Sequence, residues 1–258
     1  MKNLILKLLF SGALIFVWHF GVAQDGTSQR KLEGLYQQWH VILEGNGIIT
    51  EPLYFLTNST SPTLRELSAV NREINSNKIA MTYYLAQRIA AETNDPGDEV
   101  DLLEHVSGIN LWSADHPTDD IGGEITRNLV IFREEWPAGV YKDPSKKIAQ
   151  LCEQRMSKES TAKINPRDLS AIRRYGIFGL PELVRQMKKN NSKHAFAAYL
   201  VMVHDEDQYR DYLEHSDQQF TNVVDKINHV KNKFHEMDAN AGGDFDVMKK
   251  ISSALSEN

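Results

Sequence analysis

Only one cysteine, Cys152, occurs among the 258 residues. That excludes an intramolecular disulfide framework and any zinc site built on two or more thiolates. Eight prolines and 15 glycines are too few for a collagen-like or Pro/Gly-rich disordered chain. Positive charge is short as well. Against 35 Asp and Glu stand 29 Lys and Arg, giving a net charge of −6 and a pI near 5.9, so no basic surface points to nucleic acid or an anionic membrane. Beyond residue 23 no apolar run is long enough to span a bilayer. Catalytic signatures are missing too: there is no G-x-S-x-G turn, no H-E-x-x-H pair, no P-loop and no G-x-G-x-x-G.

What is present is an ordinary globular composition, 41% hydrophobic and 25% charged, with length enough to bury a sizeable core. The first 23 residues carry Lys2 and Lys7, then an apolar run from Leu8 to Phe20, then Gly21, Val22 and Ala23 before polar Gln24. Basic head, apolar middle and small residues at the cut predict a secretory signal peptide at 1–23, the alternative being an uncleaved N-terminal anchor. Lys7 and His19 interrupt the run as a membrane span. No cysteine follows the cut, as a lipoprotein would need. Its removal leaves 27 basic against 35 acidic residues, a mature chain at −8 with no further membrane span, exported to the periplasm or the medium. Cys152 follows Ile148, Ala149 and Leu151 in an apolar helical context and reads as a buried free thiol.

Helical spacing dominates residues 24–258. Leu32, Leu35, Tyr36, Trp39 and Leu43 share one face of a helix that Gly45-Asn46-Gly47 ends. Residues 47–62 are open to helix or strand, with helix favoured. Helices are predicted at 63–74, 77–92, 98–106, 124–135 and 145–157, with an irregular stretch from Ser107 to Gly123, rich in breaking residues, between the third and fourth. Pro166 and Pro181 each open a further helix, and Ser192 caps the next. Ala195 to Val203 has no polar face, so that helix must lie inside a layer of others. Tyr209, Tyr212 and Leu213 mark a short helix. A long one from Asp217 to Met237 aligns Phe220, Val223, Ile227, Val230, Phe234 and Met237 in a seam under three heptads long, fit for packing within the chain. The fold class predicted is all-α: one α-helical domain over 24–258, any subdivision falling near 107–123.

Gly179-Leu180-Pro181-Glu182-Leu183-Val184, the polar turn Lys188 to Asn191, and Lys193 to Leu200 together resemble one unit of the HEAT-type helical repeat, covering 167–203. A looser copy falls at 63–92, where Asn75 to Leu85 matches Asn190 to Leu200 at Asn, Lys, Ala, Tyr and Leu. The resemblance implies a HEAT-like helical array that offers a surface to a protein partner. No period of about 40 is visible between residues 93 and 166, so an irregular α-α superhelix stands beside it.

Three clusters bear chemistry-capable side chains. Asp115, His116, Asp119 and Asp120, with Glu124 behind them, could serve acid–base work or hold a metal if a cleft encloses them; the plainer reading is a solvated loop whose Asp residues cap the next helix. Trp112 and Trp136 flank this loop and read as core anchors, or, if exposed, as a glycan-stacking platform. Asp238, Asn240, Asp244 and Asp246 fall at calcium-loop spacing with Gly243 at position six. Gly242 at position five and Lys249 at position twelve argue against an ion there and favour a turn in which Asp244 caps the last helix. His194, His204 and His215 read as structural rather than metal-ligating. The expected function is therefore an exported, non-enzymatic α-helical binding or scaffold protein with a protein or peptide partner, no cofactor and no nucleic acid. The alternative is an exported hydrolase or glycan-acting enzyme with an acidic site in the 107–124 loop.

Overall fold

A computed structural model describes residues 26–46, 62–92, 96–111, 121–154, 166–203, 206–215, 218, 220–239 and 245–257. Among these the secondary structure is entirely helical: α1 Gly26–Asn46, α2 Pro62–Ser76, α3 Lys78–Ala91, α4 Asp98–Ser107, α5 Ile121–Glu135, α6 Ser145–Gln154, α7 Pro166–Arg173, α8 Leu180–Asn190, α9 Lys193–Met202, α10 Glu206–His215, α11 Val223–Ala239 and α12 Asp246–Ser256. Short 3-10 helices at Val140–Lys142 and Gly176–Gly179 complete the set. The predicted signal peptide and the ambiguous segment before Pro62 lie outside the described residues.

One hydrophobic core runs through all of them, from Leu32 to Leu255. In its amino-terminal part, α1 packs on α2 and α3, and α3 pairs with α4. In its carboxy-terminal part α8 is the hub, flanked by α6, α9, α11 and α12. Helices α8 and α9 have local reasons to start and stop where they do. Pro181 sits in the first turn of α8 and Asn191, in the left-handed conformation, ends it. Ser192 then caps α9, its Oγ accepting the Ala195 N–H at 3.1 Å. Every residue from Ala195 to Leu200 is buried, as the absence of a polar face requires.

Two aromatic groups fill the core between helices. Tyr83, Phe132, Trp136, Tyr141, Tyr175, Phe178 and Phe245 join α3, α5, both 3-10 helices and the start of α12. Phe196, Tyr199, Tyr212, Phe220 and His229 join α9, α10 and α11.

The helix boundaries differ from the sequence expectation in two places. Phe220 does not belong to the α11 seam: the helix begins at Val223, with Asn222 Oδ1 accepting the Asp225 N–H at 2.9 Å. Phe220 adopts φ +49° and turns its ring onto Phe196, 4.8 Å between centroids, so an aromatic contact outweighs the helical register. Ile227, Val230, Phe234 and Met237 are buried along the seam as expected, with α11 packed on α8 and α12 of the same chain.

The irregular stretch from Ser107 to Gly123 is also shorter than its glycines suggest. Ser107 still belongs to α4, Ile109 and Leu111 are buried, and Gly122 and Gly123 lie in the first turn of α5. Gly108 ends α4 in the left-handed conformation because the chain passes close to the end of α9: a Cβ on Gly108 would sit 2.5 Å from the Met202 carbonyl oxygen. Gly176 is equally tight against the Ser107 carbonyl, and the Asn110 N–H donates to the Arg173 carbonyl at 3.1 Å. This crossing fastens the amino-terminal helices to the carboxy-terminal ones.

Candidate functional site

Among the described residues a group of ionisable side chains surrounds Arg88, where α1, α3 and α4 meet. Helical spacing places its members: Tyr84, Arg88 and Glu92 follow one another a turn apart on α3 and the residue that ends it, and Glu33, Tyr36, His40 and Glu44 do so along α1. The first turn of α4 adds Asp98, Glu99 and Asp101, whose negative charge suits a helix amino terminus.

Arg88 is bound from three sides. Its Nε donates to Glu99 Oε1 at 2.8 Å and its Nη2 approaches the same oxygen at 2.6 Å. Glu33 Oε2 lies 3.3 Å from Nη1 and Glu92 Oε1 lies 3.2 Å from Nη2. Its guanidinium carbon stands 4.9 Å above the Tyr36 ring, a cation–π distance. The Tyr84 hydroxyl accepts from Nη1 and donates to Glu33 Oε2. His40 completes the group, with Nδ1 at 3.2 Å from Asp98 Oδ2 and Nε2 at 3.3 Å from Glu44 Oε1.

Burial divides the carboxylates. Glu99 is 3% exposed, and loss of hydration pushes its carboxyl above the usual range even with Arg88 beside it. Glu33 is half-exposed, and the hydrogen bond from Tyr84 holds it below. Burial also raises the Tyr36 and Tyr84 hydroxyls, so both stay protonated at neutral pH. Two carboxyls displaced in opposite directions are the arrangement an acid–base couple uses. The same charges also tie three helices together: Arg88 of α3 answers Glu33 of α1 and Glu99 of α4, and His40 of α1 meets Asp98 of α4.

Two smaller ties of this kind lie elsewhere. Glu104 Oε1 accepts from Arg173 Nη2 at 2.5 Å and Asn110 Nδ2 at 2.7 Å. Glu135 accepts from Lys147 and Arg174. Lys226 of α11 is different: wholly buried, it donates to the backbone and side-chain oxygens of Asn191, both at 2.8 Å. Burial lowers its amine to about 8.

The residues singled out in the sequence fare variously. Asp115, His116, Asp119, Asp120 and Trp112 lie outside the described residues, and Glu124 falls in the first turn of α5. Trp136 is a core anchor, packed on Tyr83, Phe132, Tyr141 and Phe178. In the calcium-like segment, Asp238 lies within the last turn of α11 and is exposed, Asp246 opens α12 and pairs with Lys250 at 2.8 Å, and Asn240 and Asp244 fall outside the described residues. The residue preceding α12 in the capping position is Phe245, which makes no side-chain cap. His194 is buried near the start of α9, His215 bonds Asp211 on its own helix at 3.0 Å, and His204 lies outside the described residues. Among the described residues no three His, Cys, Asp or Glu side chains gather as metal ligands. No helix of the described residues is long and apolar enough to cross a membrane.

The Arg88 group escaped the sequence reading because its members are spread from residue 33 to residue 99. Its one local trace is the Tyr84-Arg88-Glu92 row, a polar line on a helix otherwise rich in buried residues. Lys226 left no trace, since a lysine beside buried Ile227 is ordinary at the edge of an amphipathic helix.

No family model matches the chain. No curated protein and no solved structure matches it either.

Proposed function

We propose that this chain is an exported, non-enzymatic α-helical protein that presents a helical surface to a protein or peptide partner. The observation that carries the reading is the outer face of α1 beside the Arg88 group. There Val41 stands 63% exposed among Gln37, Gln38 and Glu44, with the half-exposed carboxylates of Glu33, Glu92 and Asp98 nearby. One exposed apolar side chain is ordinary on a protein surface; beside this concentration of charge it supplies an apolar centre with a polar rim, the composition of a protein-binding patch. The HEAT-like array belongs to the same proposal. In its favour, the matched helices α3 and α9 bury equivalent residues: Ala80 and Ala195, Tyr84 and Tyr199, Leu85 and Leu200. Export is supported by Lys2, Lys7 and the apolar run that follows.

The test places a photo-crosslinking amino acid at Val41 or, as a control, at Val224, which is 61% exposed on α11. A discrete adduct from Val41 and none from Val224, in the envelope or medium of the producing cell, is expected. The adducted protein, purified separately, should rebind the native chain. Adducts of equal pattern from both positions, or no partner from either, would refute the reading. Amino-terminal sequencing of the exported product checks cleavage near Gln24.

A further inference from the structure

Gly34 sits in the interior of α1, where glycine destabilises a helix relative to alanine. No packing within the chain compensates: among the described residues, a Cβ added at Gly34 would meet no atom within 4 Å. A glycine with open space above it leaves room for a close approach from outside. Val41 lies two turns further along the same face and is 63% exposed. The rest of this face is polar and exposed. Lys31 stands one turn before Gly34, Gln37 and Gln38 lie in the middle, and Glu44 stands one turn after Val41.

These residues are arranged about a centre. From the midpoint between Gln37 and Gln38, Gly34 and Val41 stand about 5 Å to either side and Lys31 and Glu44 about 10 Å, at the helical rise per residue. Two copies of α1 laid antiparallel, with a two-fold axis through that midpoint, set each Val41 over the partner's Gly34. The same register sets each Lys31 beside the partner's Glu44 and brings the glutamines together. Shape and charge thus agree on one alignment, and the symmetry makes every contact twice.

We propose that the outer face of α1 docks a second copy of this chain as an antiparallel, isologous helix pair. The inference rests on the reading that this face binds a protein, and it names that protein. The opposite face of α1 is taken up by α2 and α3. Lys31 Nζ now lies 3.1 Å from Glu73 Oε1, and Glu44 Oε1 lies 3.3 Å from His40 Nε2. Exposed pairs of this kind hold weakly, so both side chains are able to turn to the second copy. One helix from each chain covers less than the roughly 1,200 Å² of a stable interface, which places the dimer in the weak, exchanging class.

Sedimentation equilibrium of the purified exported protein, up to about 1 mM, should show monomer and dimer in exchange. Lys31→Glu and Glu44→Lys each bring like charges together at both contacts, so each alone should weaken the dimer roughly tenfold or more. Mixed in equal parts, the two variants meet with their signs exchanged, and the dimer should return. Gly34→Gln replaces glycine by a better helix former, so its melting midpoint should not fall while its dimer is lost. Circular dichroism checks that every variant is folded. A wild type that stays monomeric, a single variant that dimerises like the wild type, or a mixture of folded variants that remains monomeric overturns the pairing. A Val41 photo-adduct of twice the chain's mass supports it. An adduct with a different protein, from a chain that stays monomeric, removes the second copy as occupant and leaves the partner-binding reading standing; no adduct at all removes both.

Discussion

Replacing Gly108 by alanine should cost far more stability than the same change at Gly139. Both glycines occupy the left-handed region, at φ 68° and ψ 7° for Gly108 and φ 76° and ψ 15° for Gly139. Backbone conformation therefore penalises alanine equally at the two sites, by about 1–2 kcal/mol. Reduced freedom of the unfolded chain returns about 0.4–1 kcal/mol in each case, leaving a net loss near 1 kcal/mol. The sites differ in what the new methyl meets. At Gly139 it finds the flexible end of Lys142 at 3.6 Å, an ordinary contact. At Gly108 it lands 2.5 Å from the Met202 carbonyl oxygen, a backbone atom in the last turn of buried α9. Relief requires moving that helix end or the segment leading to Leu111, and overpacking of this kind adds about 1–3 kcal/mol. Urea denaturation followed by circular dichroism would measure both variants. With a slope near 2 kcal/mol per M, the two midpoints should differ by about 1 M at unchanged slope. Equal midpoints would refute the claim that this crossing fastens the two parts of the core.

Lys226→Met removes a buried amine whose folded-state pKa, about 8, is below the lysine value of 10.5. Between those values the unfolded chain binds more protons than the folded one, so this group makes stability rise with pH by up to about 3 kcal/mol in all. The wild type should gain on the variant in urea midpoint between pH 7.5 and 10; parallel profiles would contradict the burial of a charged amine. Arg88→Met strands the Glu99 carboxylate, and with Arg88 30% exposed the expected loss is about 2 kcal/mol at pH 7.5. Because burial raises the Glu99 carboxyl, the loss should shrink toward pH 5 as it takes up a proton, and an undiminished loss there would place the effect elsewhere. Burial pushes the Cys152 thiol up to about 12, so iodoacetamide at pH 8 should label it slowly in the native protein and quickly in urea. Native labelling at the unfolded rate would show the thiol to be open to solvent.

The residues that decide local structure were readable in order along the chain. Ser192 was legible as a cap, Pro181 as a helix opener, and Ala195 to Leu200 as a helix that had to be enclosed, because each rests on interactions within a few residues. The α11 seam was legible from Ile227 onward for the same reason. Phe220 was not, since its left-handed turn is imposed by Phe196, more than twenty residues away. Gly108, Gly122 and Gly123 looked alike as breaking residues, yet one ends a helix against a distant carbonyl and two begin another.

The same division holds for the candidate site. Periodicity and composition by themselves determined an all-α fold, as the described residues show, in a mildly acidic chain whose single thiol is buried. Only the tertiary structure decided which charges meet. Helical spacing alone sets Glu92 a turn from Arg88 and Glu44 a turn from His40, but nothing in the nearby sequence encodes the distances that bring Glu33 and Glu99 to Arg88 or Asp98 to His40, which converge from three helices.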